Sequence, residues 1–343
     1  MHGTKSWIFC ETITSYVHVS AGMVSDFSRT TGLTDEESIK HCDDLEDILI
    51  NSFHYGGQAV IEGVMMRGQK TMAMAVRRPN GELSLTSKPL SSLYTGWIRK
   101  TPFLRGIVVL IETMILGFQA LSESANISLE EEEEDISGPM LWGVLLFSIL
   151  FAVGLFFIVP LLLTELVESH VGGWFAFVEG LIRVGIFLLY LAMVNLLPDL
   201  RKVFAYHGAE HKTINAYEDG APLEIAAIRP YSTSHTRCGT AFLLFVMVIA
   251  IGVFALVGHP AMWLLVLSRI VLVPFIAGIS YEATQYAARH DENILVRGII
   301  APGLLLQKMT TRQPNDAQLE AAIAALADVL KTDSEETQEP SPA

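Results

Sequence analysis

The sequence predicts a polytopic α-helical membrane protein with about four transmembrane helices and a small cytoplasmic α+β portion. The chain is 51% hydrophobic over 343 residues and has a mean hydropathy of +0.40, more apolar than an ordinary soluble protein. Four stretches each come close to the roughly 20 apolar residues that cross a bilayer as a helix. We therefore expect the lipid bilayer to be a direct partner of this chain.

The four predicted spans lie at residues 139–163, 174–197, 241–257 and 261–279. Only three residues separate the last two spans, which predicts a tight helical hairpin. A further apolar stretch, residues 106–121, contains Glu112 and Gln119. Because these polar side chains are costly inside a bilayer, we predict that this stretch is interfacial or re-entrant and does not span the membrane.

The distribution of basic residues predicts the orientation of the spans. Lys and Arg residues occur before the first span, between the second and third, and after the fourth, whereas residues 164–173 contain none. Basic side chains near the ends of spans are retained in the cytoplasm. The sequence therefore predicts a multi-pass protein of the inner (plasma) membrane, with both termini and the long central loop in the cytoplasm.

The segments outside the spans have recognisable patterns. Alternating residues on either side of Asn80-Gly81 predict a two-stranded β unit, because this dipeptide favours a hairpin turn. After Asn315, a helix N-cap residue, Leu319, Ile323 and Leu326 recur at helical spacing. We expect this amphipathic helix to pack on the cytoplasmic portion.

The predicted organisation follows the chain in eight parts. They are a weakly ordered N-terminal extension without a secretory signal (1–50), a small cytoplasmic β-rich unit (51–100), an interfacial helix with an acidic spacer (101–138), spans one and two (139–197), a cytoplasmic metal-site loop (198–240), spans three and four (241–279), a cytoplasmic C-terminal segment with the amphipathic helix (280–331) and a disordered acidic tail (332–343).

Charge and cysteine usage exclude several classes of protein. The formal net charge is −14, which argues against a nucleic-acid partner, although much of the acidity lies in three short runs. The three cysteines, Cys10, Cys42 and Cys238, are far apart and form no C-x-x-C motif. The sequence therefore provides neither a disulfide framework nor a four-cysteine zinc site.

A five-residue motif in the central loop predicts a metal site. His207 and His211 stand four residues apart, with Glu210 beside the second, in the spacing H-x-x-E-H. On a helix both imidazoles can reach one metal ion while the carboxylate stands next to it, as in inverzincin metalloproteases. The alternative is a pair of surface histidines near acidic residues, because so short a pattern arises by chance and Gly208 weakens a helix.

Other residues in and near the same loop favour zinc. His235 and Cys238 add an imidazole and a thiolate directly before the third span, and such donors suit zinc. Glu282, at the cytoplasmic end of the fourth span, is a candidate carboxylate ligand. We therefore predict a divalent metal cofactor, with zinc the expected ion. Its predicted ligands are His207, His211 and one or two of His235, Cys238 and Glu282.

Two of the candidate ligands have simpler interpretations, and one further acidic residue is too far away. Cys238 could be a small buried apolar residue, and Glu282 could pair with an arginine of the loop. Glu218 lies on nearly the same helical stripe as His207, but a rise of about 1.5 Å per residue puts it roughly 10 Å from His211 along the axis. This distance rules against Glu218 as a ligand.

Two basic residues lie inside predicted spans. Arg183 and Arg269 should reach similar depths, and Glu179 stands one helical turn before Arg183. Intramembrane charges are costly and normally face the bundle interior or a wet cavity. The two interpretations are a structural pairing with Glu179 and the binding of an anionic lipid headgroup.

Five blocks of the sequence resemble, in order, the bacterial YqhQ-like membrane proteins. They are GGQAVIEGVMMRG (56–68), YHGAEHKTI (206–214), HTRCGT (235–240), AGISYE (277–282) and PGLLLQ (302–307). The resemblance covers roughly residues 56–330. This family is described as predicted metal-dependent enzymes, so the resemblance implies a membrane location and a metal site. It supplies no substrate and no reaction.

Three functions follow as hypotheses. The first is a metal-dependent membrane hydrolase in which Glu210 is the general base for a water that the metal activates. The second is a membrane scaffold or assembly factor whose metal is structural and closed by four protein ligands. The third is a lipid-handling or transport protein that works through Arg183 and Arg269. The sequence identifies no substrate and no protein partner for any of them.

Overall fold

The computed structural model describes residues 53, 55–90, 101, 104–129, 138–258, 260–290 and 293–338. From Tyr55 onward the described residues belong to one compact unit. The predicted N-terminal extension, the acidic run at 130–135 and the last five residues of the predicted tail lie outside the described residues.

A sheet of four antiparallel strands opens the described chain, with the strands in sequence order. The third hairpin carries Asn80 and Gly81 in its turn, where Gly81 has a φ of +86°, as the dipeptide predicts. The first hairpin turns through Glu62, which holds a φ of +51°. The sequence pattern therefore predicted two of the strands and missed the other two. The strands are β1 (Gly56–Val60), β2 (Gly63–Arg67), β3 (Thr71–Arg77) and β4 (Leu83–Pro89).

Helices make up most of the rest of the described chain. They are α1 (Leu104–Ser128), α2 (Gly138–Val153), α3 (Val159–Glu165), α4 (Glu168–Val171), α5 (Phe175–Val194), α6 (Pro198–Glu218), α7 (Ile225–Ile228), α8 (Gly239–Val257), α9 (Met262–Arg289), α10 (Ile294–Thr310) and α11 (Asp316–Gln338). A π-helical stretch, Gly154–Ile158, joins α2 to α3.

Helices cover both faces of the sheet. Because successive strand residues point to opposite faces, Met65 and Met74 lie on one face and Met66 and Ala75 on the other. The first face packs on Leu116 of α1. The second face packs on α6 and α11. Burial on both sides explains why the central residues of β2 and β3 are apolar on both faces of the sheet.

Among the described residues, five helical segments are long and apolar enough to cross a membrane, one more than the sequence predicted. Four of them correspond to the predicted spans. They are Trp142–Glu165, Glu168–Val194, Gly239–Val257 and Met262–Ala287. The fifth, Arg105–Ser128, contains the stretch that was predicted to be interfacial. Its hydropathy is the lowest of the five, 1.5 against 2.0 or more.

Helix α1 has two different faces. Glu112, Leu116 and Ala120 are buried, and Glu112 accepts a 2.7 Å hydrogen bond from Arg67 of the sheet. On the opposite face, Ile111 and Met114 are half exposed. One face of α1 therefore packs on the sheet, and the opposite face presents apolar side chains.

The last helix extends beyond the boundary that the sequence predicts. Helix α11 continues to Gln338, although the sequence predicted a disordered tail from residue 332. Asp333 explains part of the difference, because it accepts hydrogen bonds from the Tyr55 hydroxyl (3.1 Å) and the Gln69 backbone N–H (3.0 Å). Burial and Asp333 raise the pKa of Tyr55, so the phenol remains a donor in this contact.

Candidate functional site

Helix α6 carries the H-x-x-E-H motif and begins where the membrane helix α5 has just ended. Pro198 occupies its first turn, where a missing backbone N–H costs nothing. The His207 and His211 rings lie on one face with their centroids 4.4 Å apart. The predicted geometry of two neighbouring imidazoles is therefore present.

Both imidazoles are oriented by backbone carbonyl groups. His207 Nδ1 lies 2.8 Å from the Thr310 carbonyl oxygen, and His211 Nδ1 lies 2.6 Å from that of Thr233. A carbonyl oxygen only accepts, so each Nδ1 must carry the proton. In the neutral rings the lone pair is then on Nε2, the atom that is available to a metal. Metal-binding histidines usually have this kind of support from a second hydrogen-bond partner.

Cys238 completes a three-residue cluster. Its Sγ lies 3.4 Å from His207 Nε2, and the ligand atoms of His207, His211 and Cys238 all lie within 4.8 Å of one another. Cys238 is also the N-cap of membrane helix α8, where its sulfur accepts from the Thr240 backbone N–H at 3.4 Å. The cluster therefore lies at the end of a membrane helix.

Side chains of α6 hold the loop that leads to Cys238. Lys212 Nζ donates to the carbonyl oxygens of Arg229 (2.6 Å) and Tyr231 (2.7 Å). Asn215 Nδ2 donates to the next carbonyls along, those of Ser232 (3.0 Å) and Ser234 (3.1 Å). Burial lowers the pKa of Lys212. With His211 bound to the Thr233 carbonyl, every loop carbonyl from Tyr231 to Ser234 is fixed by this helix.

Glu210 stands beside the cluster and is 5% exposed. Its Oε1 accepts a 2.9 Å hydrogen bond from the Gly57 backbone N–H of β1, and its Oε2 lies 3.5 Å from His211 Nε2. A carboxylate that faces the lone pair of a neutral imidazole is repulsive unless a cation lies between them. Either a proton on Nε2 or a metal ion satisfies this contact.

The structure does not bring His235 into the ligand cluster. Its Nε2 lies 3.2 Å from Glu218 Oε2, and Glu218 also pairs with Arg237. The His235 backbone is held by Gln307, whose amide accepts from its N–H (2.9 Å) and donates to its carbonyl (2.8 Å). Glu218 therefore has a role that its distance from His211 did not reveal, as the partner of His235.

Glu282 is likewise outside the cluster. Both of its carboxylate oxygens accept from Arg105 of α1, one of them at 2.7 Å. The ion-pair alternative therefore describes Glu282, with an arginine from α1 and not from the central loop. A bidentate pair with arginine occupies the oxygens that a metal would need.

The intramembrane charges form one buried group. Arg183 and Arg269 both pair with Glu179, and all three side chains are less than 6% exposed. Arg183 also donates to the Phe156 carbonyl (2.9 Å), and the Phe254 ring lies against both arginines. These contacts support the interpretation that the two arginines are paired structurally with Glu179.

Gly208 allows the chain after α10 to approach α6. A Cβ at this position would overlap the Arg312 carbonyl oxygen, and the Arg312 N–H donates to the Phe204 carbonyl at 2.8 Å. This close approach puts the Thr310 carbonyl beside His207. The glycine that weakens the helix in the sequence pattern is therefore required by the site.

Together, the fold and the cluster define a helical membrane protein with a small sheet and a His–His–Cys group at one membrane boundary. The chain belongs to the family "Protein of unknown function (DUF1385)", whose model matches residues 101–332. It is also 35% identical over 307 residues to "Uncharacterized protein YqhQ" of Bacillus subtilis (strain 168), an alignment that covers 84% of this chain and 96% of that protein. No solved structure matches the chain.

Replacing Gly208 with Ala should destabilise the protein, although Ala normally favours a helix by about 0.5–1 kcal/mol over Gly. The new Cβ meets a backbone carbonyl, so we expect a net loss of about 1–3 kcal/mol of unfolding free energy. Gly298→Ala is the control, because no described atom lies within 4 Å of a Cβ at that helical position. Unfolding in detergent measures both variants. Equal stability of the two would contradict the close approach at Gly208.

Proposed function

We propose that the chain is a metal-dependent membrane enzyme, a hydrolase whose zinc ion is held by His207, His211 and Cys238. The observation that supports this most directly is the pair of Nδ1 hydrogen bonds to backbone carbonyls. These bonds leave both Nε2 lone pairs available, and the ligand atoms of the two histidines and Cys238 lie within 4.8 Å of one another. Two imidazole nitrogens and one thiolate form a donor set that suits zinc.

The number of ligands favours a catalytic site over a structural one. Structural zinc normally has four protein ligands, whereas catalytic zinc has three and keeps one position open. His235 would be the fourth ligand of a closed site, but its imidazole pairs with Glu218. Bound zinc would supply Lewis-acid activation of a water molecule.

Glu210 is the residue placed to move a proton in this proposal. The Gly57 N–H fixes one carboxylate oxygen, so the other, Oε2, points to the side of His211 Nε2. Such a carboxylate acts as a general base when it takes a proton from the attacking water. The buried position limits competing contacts with solvent.

The second candidate function is a membrane scaffold or assembly factor that is stabilised by a structural metal. The cluster and its supporting carbonyls join α6, the loop before α8, α8 itself and the end of α10. A closed structural metal would stabilise this junction without turnover. In that case Glu210 has no proton to move, and this difference is testable.

We further propose that α1 lies on the cytoplasmic surface and that four helices span the membrane. Arg105 at its start pairs with Glu282 near the end of α9, and Phe118 contacts Trp142 near the start of α2, with ring centroids 6.2 Å apart. One face packs on the sheet while the other exposes apolar side chains, as expected of an interfacial helix. Both termini of the bundle then face the same side, in agreement with the distribution of Lys and Arg.

Protein purified in detergent should contain about one zinc ion per chain, and the double variant His207→Ala/His211→Ala should contain none, because it removes two of three ligands. His170→Ala, at an exposed histidine in α4, is the matched control and should keep the metal. Elemental analysis by mass spectrometry measures all three proteins. If the wild-type chain binds no metal, Cys238 and His207 form only a thiol–imidazole pair, and the metal proposal is wrong.

Glu210→Gln should keep the zinc and the fold but lose biological activity. The glutamine oxygen can still accept from Gly57 N–H, whereas the amide cannot take a proton, and a general base contributes about 10²–10⁴-fold to a rate. Glu224→Gln, at an exposed position, is the control. Genetic complementation of a deletion strain, together with metal content, tests both. Full complementation by Glu210→Gln would favour the scaffold.

The proposed topology predicts which single cysteines react with a membrane-impermeant maleimide in intact cells. In a background without native cysteines, Ser169→Cys in the outer turn should be labelled. Thr101→Cys and Leu129→Cys, on either side of α1, should both be protected until the membrane is opened, and so should Ser232→Cys in the central loop. Labelling of only one of the two positions that flank α1 would show that this helix crosses the membrane.

A further inference from the structure

Two arginines bond to the same residue where membrane helix α5 ends. Arg201 Nε donates to the Asn195 backbone oxygen at 2.8 Å, and Arg312 Nη2 donates to its side-chain oxygen at 3.2 Å. Asn195 is itself fixed, because its Nδ2 donates to the carbonyl oxygens of Leu191 (3.1 Å) and Met309. A single anchored residue therefore holds both guanidinium groups in place.

Each guanidinium keeps most of its donors available. Within the described parts of the chain, Arg201 bonds only through Nε and Arg312 only through Nη2, and neither forms an ion pair with a carboxylate. The neighbouring acidic side chains, Glu62 and Asp199, interact electrostatically with Lys202 instead. Glu62 accepts a 3.0 Å bond from Lys202 Nζ and raises the pKa of that lysine. Two guanidinium groups that are anchored on one residue and keep free N–H groups match the oxygens of a phosphate.

Apolar side chains place this pair at the level of the lipid headgroups. Leu196 and Leu197, directly after Asn195, are 69% and 53% exposed, and Met193 at the end of α5 is 60% exposed. Exposed leucines beside exposed arginines are typical of the boundary between the acyl chains and the headgroups. Anionic lipids supply negative charge at that level.

The arginine pair and the metal cluster share one chain segment. The Met309 carbonyl oxygen accepts from Asn195, and the Thr310 carbonyl oxygen accepts from His207. The Arg312 backbone N–H donates to the Phe204 carbonyl of α6. Arg201 precedes His207 by six residues, or roughly 9 Å along the helix. The headgroup region of one leaflet is about 5–8 Å thick, so a bound headgroup would lie near the cluster.

We propose that Arg201 and Arg312 bind the phosphate of an anionic phospholipid on the membrane face that carries the His–His–Cys cluster. The binding needs no metal and no turnover. The further idea, that an anionic phospholipid is the class of substrate for the metal cluster, rests on the proposed function. Phospholipid binding is therefore measured separately from metal content and activity.

The test uses the full chain purified in detergent and short-chain dihexanoyl phosphatidylglycerol below its micelle concentration. The variant is Arg201→Gln/Arg312→Gln, and the control is Arg229→Gln, an exposed arginine that pairs with Asp316. We expect the double variant to bind this lipid about tenfold or more weakly, while the control and His207→Ala/His211→Ala bind as the wild type does. Raising the salt concentration should weaken wild-type binding as well.

Two results would overturn the proposal. One is unchanged phosphatidylglycerol binding by the double variant. The other is binding of inorganic phosphate as tightly as the lipid, which would make this a site for free anions. If the double variant does not fold, Arg201→Gln alone and the salt titration of the wild type decide the question. Loss of lipid binding in the histidine variant would contradict the independence of the two sites.

Discussion

Two hydrogen bonds, from His207 Nδ1 to the Thr310 carbonyl and from His211 Nδ1 to the Thr233 carbonyl, determine what the site can do. They set the tautomer of each neutral ring and leave His207 Nε2 beside Cys238 and His211 Nε2 beside Glu210. Each bond needs its carbonyl delivered by a different segment. Lys212 holds the loop that carries Thr233, and Gly208 admits the segment that carries Thr310. The membrane helices, the loop and the C-terminal segment must therefore all pack correctly before the ligands converge.

Hydropathy and helical spacing predicted most of the helical architecture, because a bilayer demands long apolar segments whatever their packing. The β1–β2 hairpin was missed because its turn at Glu62 has no Asn-Gly signal and because β2 is buried on both faces, so its apolar residues do not alternate with polar ones. The end of α11 was missed because its acidic composition favours solvent, while Asp333 is held by Tyr55 from 278 residues away. Contacts of that range leave no local pattern.

The candidate site was predictable only in part, because some of its contacts are local in the sequence and others are long-range. His207 and His211 lie four residues apart on one helix, so their proximity follows from helical geometry alone. The position of Cys238 depends on the loop, and the sequence could offer it only as one of several ligands. His235 and Glu282 had suitable chemistry, but Glu218 and Arg105 are nearer partners. The Thr233 and Thr310 carbonyls had no signal, because every residue carries one.

We propose that two imidazoles and one thiolate form an open zinc site at the membrane boundary. X-ray absorption spectroscopy at the zinc edge, on the full chain in lipid bilayers, measures the ligands directly. We expect one sulfur, two imidazole nitrogens and one additional light donor that is not an imidazole. A first shell with three imidazoles and one sulfur would show that His235 leaves Glu218 to close the site. A first shell without sulfur would exclude Cys238 as a ligand and contradict the proposed zinc site.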